Sequence, residues 1–95
     1  MKYTWNRDKA EAVRLTHGIR FGALIDVFKD PYALEYVDEE HSTPTERRYQ
    51  IIGLAGPGLI FLVYTEPAPD VIHFITARHA EPWMVREYER NRKRY

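Results

Sequence analysis

The chain has 95 residues, no cysteine, and 14 basic against 14 acidic residues for a formal net charge of zero. That length suits one domain with a single modest core over residues 1–95. The lack of cysteine excludes disulfides and thiolate metal sites, and the charge balance argues against a general polyanion sponge.

The charge is nonetheless segregated. Asp30, Glu35, Asp38, Glu39 and Glu40 form an acidic middle, and Arg86, Arg90, Arg92, Lys93 and Arg94 a basic end. Such a pattern allows a local surface for nucleic acid, a surface for an acidic partner, or a merely solvated helix face. The opening residues lack the apolar stretch of a secretory signal, and the longest apolar run, 59–64, is too short to cross a bilayer. A cytoplasmic location without membrane attachment is expected.

Asn6 is a good N-cap, with Asp8 and Glu11 in the first turn, where the helix dipole favours them. Ala10, Val13 and His17 recur at helical spacing and Gly18 is a natural stop, so a helix is expected over 7–17. Phe21, Leu24, Ile25 and Phe28 follow the same period, which predicts a second helix over 21–29, ended by Asp30-Pro31. Leu34 and Tyr36 suggest a short strand, and the polar run 38–45 a loop. Residues 48–54 alternate as a strand does, Gly56-Pro57-Gly58 makes a turn, and 59–65 reads as a buried central strand. Pro67-Ala68-Pro69-Asp70 turns the chain into a fourth strand over 71–78, and Pro82 opens a last helix carrying Trp83, Val85 and Tyr88. The expected fold is α+β: a small four-stranded antiparallel sheet, two N-terminal helices and a C-terminal helix, with one sheet face covered and the other partly open.

His17, His41, His73 and His79 are scattered without a metal-ligand spacing, so no metal or cofactor is expected. Glycine-rich phosphate loops and nucleophile elbows are absent, and Ser42, the only serine, lies in a polar loop. Interest therefore falls on 71–95, where a strand ending in Thr76-Ala77-Arg78-His79 feeds a basic helix containing Arg86. An arginine holds phosphate bidentately and a histidine moves protons near neutral pH, a pairing that suits RNA cleavage. Equally, Arg78 reads as an ion-pair partner and His79 as a solvated turn residue. His17 reads as a helix-end cation or a proton-transfer group, with Lys9 near the same helix face. Glu66 is either a base, an orienter or a turn acid. Glu46, Arg47 and Arg48 read as edge-strand charges or a backbone-binding strip. Trp5 and Trp83 read as packing anchors, and His73, in mid-strand, as structural.

The ordered set of fragments resembles the BrnT-type toxins of type II toxin–antitoxin pairs. Tyr3-Thr4-Trp5-Asn6 with Lys9, His17-Gly18-Ile19 with Phe21, and Val27-Phe28-Lys29-Asp30-Pro31 are similar to that family's opening motifs. His41 with Glu46-Arg47 and Ile52-Gly53, Val63-Tyr64-Thr65-Glu66, Ile75-Thr76-Ala77-Arg78-His79-Ala80, and Tyr88 continue the likeness in order. His79 stands where the family has Arg or Lys, Thr16 where it has a basic residue, Val13 where it has Asn, and Glu81 where it has Thr. The resemblance implies a RelE-like fold and a metal-independent endoribonuclease that stops translation. It implies Arg78, His79, His17 and Glu66 as catalytic candidates, with Lys9, Arg47, Arg48 and Arg86 holding RNA. The implied partner is a ribbon-helix-helix (BrnA-like) antitoxin, in a 2:2 heterotetramer that binds operator DNA through the antitoxin. A non-catalytic RNA- or protein-binding module, a degenerate toxin, is the alternative.

Overall fold

In the computed structural model residues 1–94 are described; Tyr95, the last residue of the 71–95 segment, lies outside the described residues. The elements are β1 (Lys2–Trp5), α1 (Arg7–His17), a 3₁₀ helix (Phe21–Lys29), β2 (Leu34–Val37), β3 (Arg48–Ala55), β4 (Gly58–Ala68), β5 (Val71–His79) and α2 (Pro82–Arg92).

Local chemistry sets the ends of these elements. The Asn6 side chain accepts from the Lys9 amide at 3.0 Å and so caps α1, while Gly18, at φ 69°, closes it in the left-handed conformation. Pro82 occupies the first turn of α2. The second helix is 3₁₀ rather than α, and its burial explains why. Phe21, Leu24 and Val27 are the fully buried positions, a strict spacing of three, whereas Ile25 and Phe28 are only half-buried. The segment lies close enough to β3 that a Cβ on Gly53 would come within 2.8 Å of Val27 Cγ1, so position 53 admits only glycine without a shift.

The sheet has five strands in the order β1-β5-β4-β3-β2. This corrects the expected four-stranded antiparallel sheet, and with it that detail of the RelE-like arrangement. β2 to β5 are antiparallel neighbours, but β1 pairs parallel to β5, with Tyr3 opposite Ile72 and Trp5 opposite Phe74. Four residues with two aromatic alternations carry too little local signal to announce an edge strand. What places β1 is distant packing: the Tyr3 and Trp5 rings lie 5.8 and 5.7 Å from Phe74, with Phe21 and Phe28 completing the cluster.

Helices lie on both sheet faces. α1 and the 3₁₀ helix cover one, where Val13, Leu24, Val27, Ile51, Leu62 and Phe74 form the main core. α2 covers only one end of the other, packing Met84 and Tyr88 on Ile52, Leu59 and Phe61. Asp30 ties α2 down. It accepts from the Tyr88 hydroxyl at 2.8 Å, from the Leu54 amide at 2.8 Å where β2 has run out, and from the Tyr32 amide at 2.9 Å. Burial first, and this hydrogen bond second, push the Tyr88 hydroxyl up to about 12.

Candidate nucleic-acid interface

The half of the sheet that α2 leaves uncovered is polar. Register places one row of side chains across four strands of it: Arg48 opposite Thr65, Thr65 opposite His73, and His73 opposite Thr4. Lys9, in the first turn of α1, joins this row from outside the sheet. Together with Asn6, Asp8, Phe74 and Ile75, the side chains of Lys9, Arg48 and His73 line a cleft of about 430 Å³.

Each of these groups is positioned by its neighbours. Thr4 Oγ1 lies 2.8 Å from His73 Nδ1. The Arg48 backbone is locked by the loop before it: its amide donates to Ser42 Oγ at 2.9 Å, Ser42 Oγ donates to the Asp38 carbonyl at 2.6 Å, and the Asp38 amide donates to the Arg48 carbonyl at 2.8 Å. The buried Asp38 carboxylate in turn accepts from the His41 amide and ring. Burial works to raise the Asp38 carboxyl, but hydrogen bonds from Gln50 and His41 outweigh it and hold it below the ordinary carboxylate range. Among the described residues, the Arg48 side chain is bonded through Nε alone, to Glu46 at 3.1 Å. Among the described residues, Lys9 has no ion-pair partner.

His73 reaches this face because of a register shift. Val63 pairs with Thr76 and Tyr64 with Phe74, so Ile75 is one residue too many on β5. Below the bulge the alternation changes phase. Strict alternation from Arg78 puts Thr76 and Phe74 on one face and His73 on the other; the bulge buries Phe74 in the core and turns His73 to the cleft. From sequence, His73 read as structural because it lies in mid-strand. The polar pairing of Thr4 with His73 spans 69 positions and gives no local signal.

Arg78 occupies the same face at its other end, opposite Phe61 and beside α2. Its guanidinium carbon sits 4.8 Å from the Phe61 ring centroid, and Nη1 lies 3.0 Å from Glu81 Oε1. The second Glu81 oxygen accepts from Trp83 Nε1 at 2.8 Å. Glu81 thus precedes α2 without capping it; its carboxyl is held low first by Trp83 and then by Arg78.

The other predicted residues are dispersed. His79 pairs with Ile60 inside β5 and so faces the opposite side from Arg78, because the strand continues through it instead of turning. Glu66 and Arg47 do come together, but in a separate cleft with Thr45, Tyr49 and Pro67. His17 is exposed at the end of α1, about 12 Å along the helix axis from Lys9. Arg86 is exposed on α2, where Arg90 and Arg92 pair with Glu87 and Glu89 one turn back. Among the described residues no three His, Asp or Glu side chains cluster as metal ligands, and no helix is long and apolar enough to cross a membrane.

The family model for the ribonuclease toxin BrnT of type II toxin–antitoxin systems matches residues 5–82. This chain belongs to the BrnT family. The match takes in both ends of the open face, from Lys9 to Glu81. A solved structure shares the BrnT fold: the Brucella abortus ribonuclease toxin BrnT, determined at 1.1 Å, aligns with a TM-score of 0.66 and 20% identity over 85% of this chain and 97% of that one. No curated protein matches the sequence. BrnT membership accounts for the ordered motifs, and the structure supplies physical reasons for several of them. Asp30-Pro31 and Tyr88 are two halves of one hydrogen-bonded corner, and Gly53 makes room for Val27.

Proposed function

We propose that this BrnT-family chain is a metal-independent endoribonuclease that binds single-stranded RNA across the open half of its sheet and so inhibits translation. The observation that carries this is the cleft in which Lys9, Arg48 and His73 converge. Two cations there neutralise a phosphate and its transition-state charge, beside a group able to exchange protons. Arg78 holds a neighbouring phosphate along the same face. Arg47, Glu66 and Arg86 contact RNA or the antitoxin outside the cleft, and His17 and His79 are left without a part in proton transfer. A ribbon-helix-helix, BrnA-like antitoxin neutralises the protein in a 2:2 complex that binds operator DNA through the antitoxin, in the cytoplasm.

Incubation of the purified chain with a single-stranded RNA in EDTA tests the reaction. Cleavage there, together with growth arrest on induced expression in a host lacking the antitoxin, is the expected result. Intact RNA and unimpaired growth with soluble protein sink the proposal. A second outcome has its own support in the ion pair that already occupies Arg78. A degenerate toxin binds RNA with a salt slope of about −0.7 per phosphate contact and leaves it whole.

A further inference from the structure

The structure assigns His73 as the catalytic residue that takes the proton from the attacking 2′-hydroxyl. The assignment rests on the ribonuclease reading of the same face. Among the four histidines, His17 and His79 are exposed at a helix end and on the opposite sheet face, and His41 is bound to Asp38 in the loop. His73 alone is half-buried, stands on the open face, and shares a cleft with two cations.

Its anchorage suits the task. Thr4 Oγ1 engages Nδ1, which leaves Nε2 as the nitrogen available to a ligand. With Nδ1–H donating to Thr4, Nε2 carries a lone pair. Once Nε2 has accepted a proton the same hydrogen bond persists, so the ring changes charge without changing orientation. The charged groups facing it are Lys9 and Asp8 from α1 and Arg48 from β3, with the uncharged Thr65 beside it on β4. The β-bulge at Ile75 is the device that aims the ring: bulges of this kind re-aim side chains next to sites of chemistry.

The step balances without a co-reactant. The proton of the ribose 2′-hydroxyl passes to His73 Nε2, and the 2′-oxygen forms a bond to phosphorus. The bond from phosphorus to the 5′-oxygen then breaks, its electron pair staying on that oxygen, which is protonated from solvent. Lys9 and Arg48 hold the non-bridging oxygens as charge builds on them. The products are a 2′,3′-cyclic phosphate and a 5′-hydroxyl, and His73 returns its proton to water.

The test is single-turnover cleavage of an RNA oligonucleotide by the full chain, wild type beside His73→Gln and His73→Ala, with RNA affinity measured separately. The expected loss is about 10²–10⁴-fold in rate with affinity held within a few-fold. The acid limb of the pH–rate profile should disappear. Added imidazole should restore part of the His73→Ala rate, which a purely structural histidine would not allow. Thr4→Val, which keeps the ring and removes its anchor, should slow cleavage about tenfold at unchanged KM; if the His73 variants fail to fold, this variant decides. Wild-type rates and pH profiles in His73→Gln, or in Thr4→Val where it decides, overturn the assignment while leaving the ribonuclease reading intact. A wild-type chain that cleaves no RNA overturns that reading, and the assignment with it.

Discussion

The two ends of the open sheet face are built alike and left in different states. At each end one aspartate gathers hydrogen bonds: Asp38 fixes the loop leading into Arg48, and Asp30 fixes the helix that lies beside Arg78. At the Asp38 end the cations line a cleft, with Lys9 unpaired among the described residues and Arg48 bound only through Nε. At the Asp30 end Arg78 lies over Phe61 and is paired with Glu81. A cation already bonded to a carboxylate must give up that partner before it takes a phosphate, so equal charge does not mean equal readiness to bind.

Arg48→Ala probes the difference most strongly. Loss of a charge-assisted phosphate contact is expected to lower kcat/KM about 10–100-fold, whereas Arg78→Ala should cost no more than about fivefold. The opposite order in a cleavage assay would break the comparison. Next in size is the loop anchor. Asp38→Ala should destabilise the fold by about 1–3 kcal/mol in urea, because His41 and Gln50 lose their acceptor. A carboxyl held below its unfolded value of about 3.9 contributes stability that is complete above that pH and lost as pH falls through the folded value. Wild-type melting temperature should therefore drop below about pH 4, with a shallower drop in Asp38→Asn.

On the α2 side, Tyr88→Phe should cost about 1 kcal/mol, since Asp30 retains the Leu54 and Tyr32 amides. The Tyr88 hydroxyl, raised to about 12, stabilises the fold below its unfolded value of about 10, and that share is lost as pH climbs from there to about 12. Tyr88→Phe should flatten that alkaline slope in a melting series and leave RNA cleavage unchanged; a large loss of cleavage would mean that α2 does more than support the sheet. The smallest effect is expected from Glu81→Ala. Releasing an exposed ion pair should raise RNA affinity by at most about fivefold, and a fall in affinity would show that Glu81 positions Arg78 instead of neutralising it.

Much of this molecule was legible from residue order. Asn6, Gly18 and Pro82 mark helix ends through their own backbone chemistry, and the three hairpin-linked strands follow from alternation and short turns. The family was legible too, from the ordered motifs. The candidate site was legible only in part. Lys9 and Arg48 were picked out and do converge, but Arg78 and His79 were expected to share a site, and alternation through the end of β5 sends them to opposite faces. His73 was passed over, and β1 was missed altogether.

These outcomes divide along one physical line. Caps, turns and periodicity are properties of a few neighbouring residues, so the sequence by itself determined, β1 apart, which segments become helix or strand and where most of them stop. Which way a strand's side chains face is set by pairing with a distant segment, and one extra residue reverses it. Only the tertiary structure, through the parallel docking of β1 against Phe74 and the bulge at Ile75, decided that Thr4 and His73 meet beside Lys9 and Arg48.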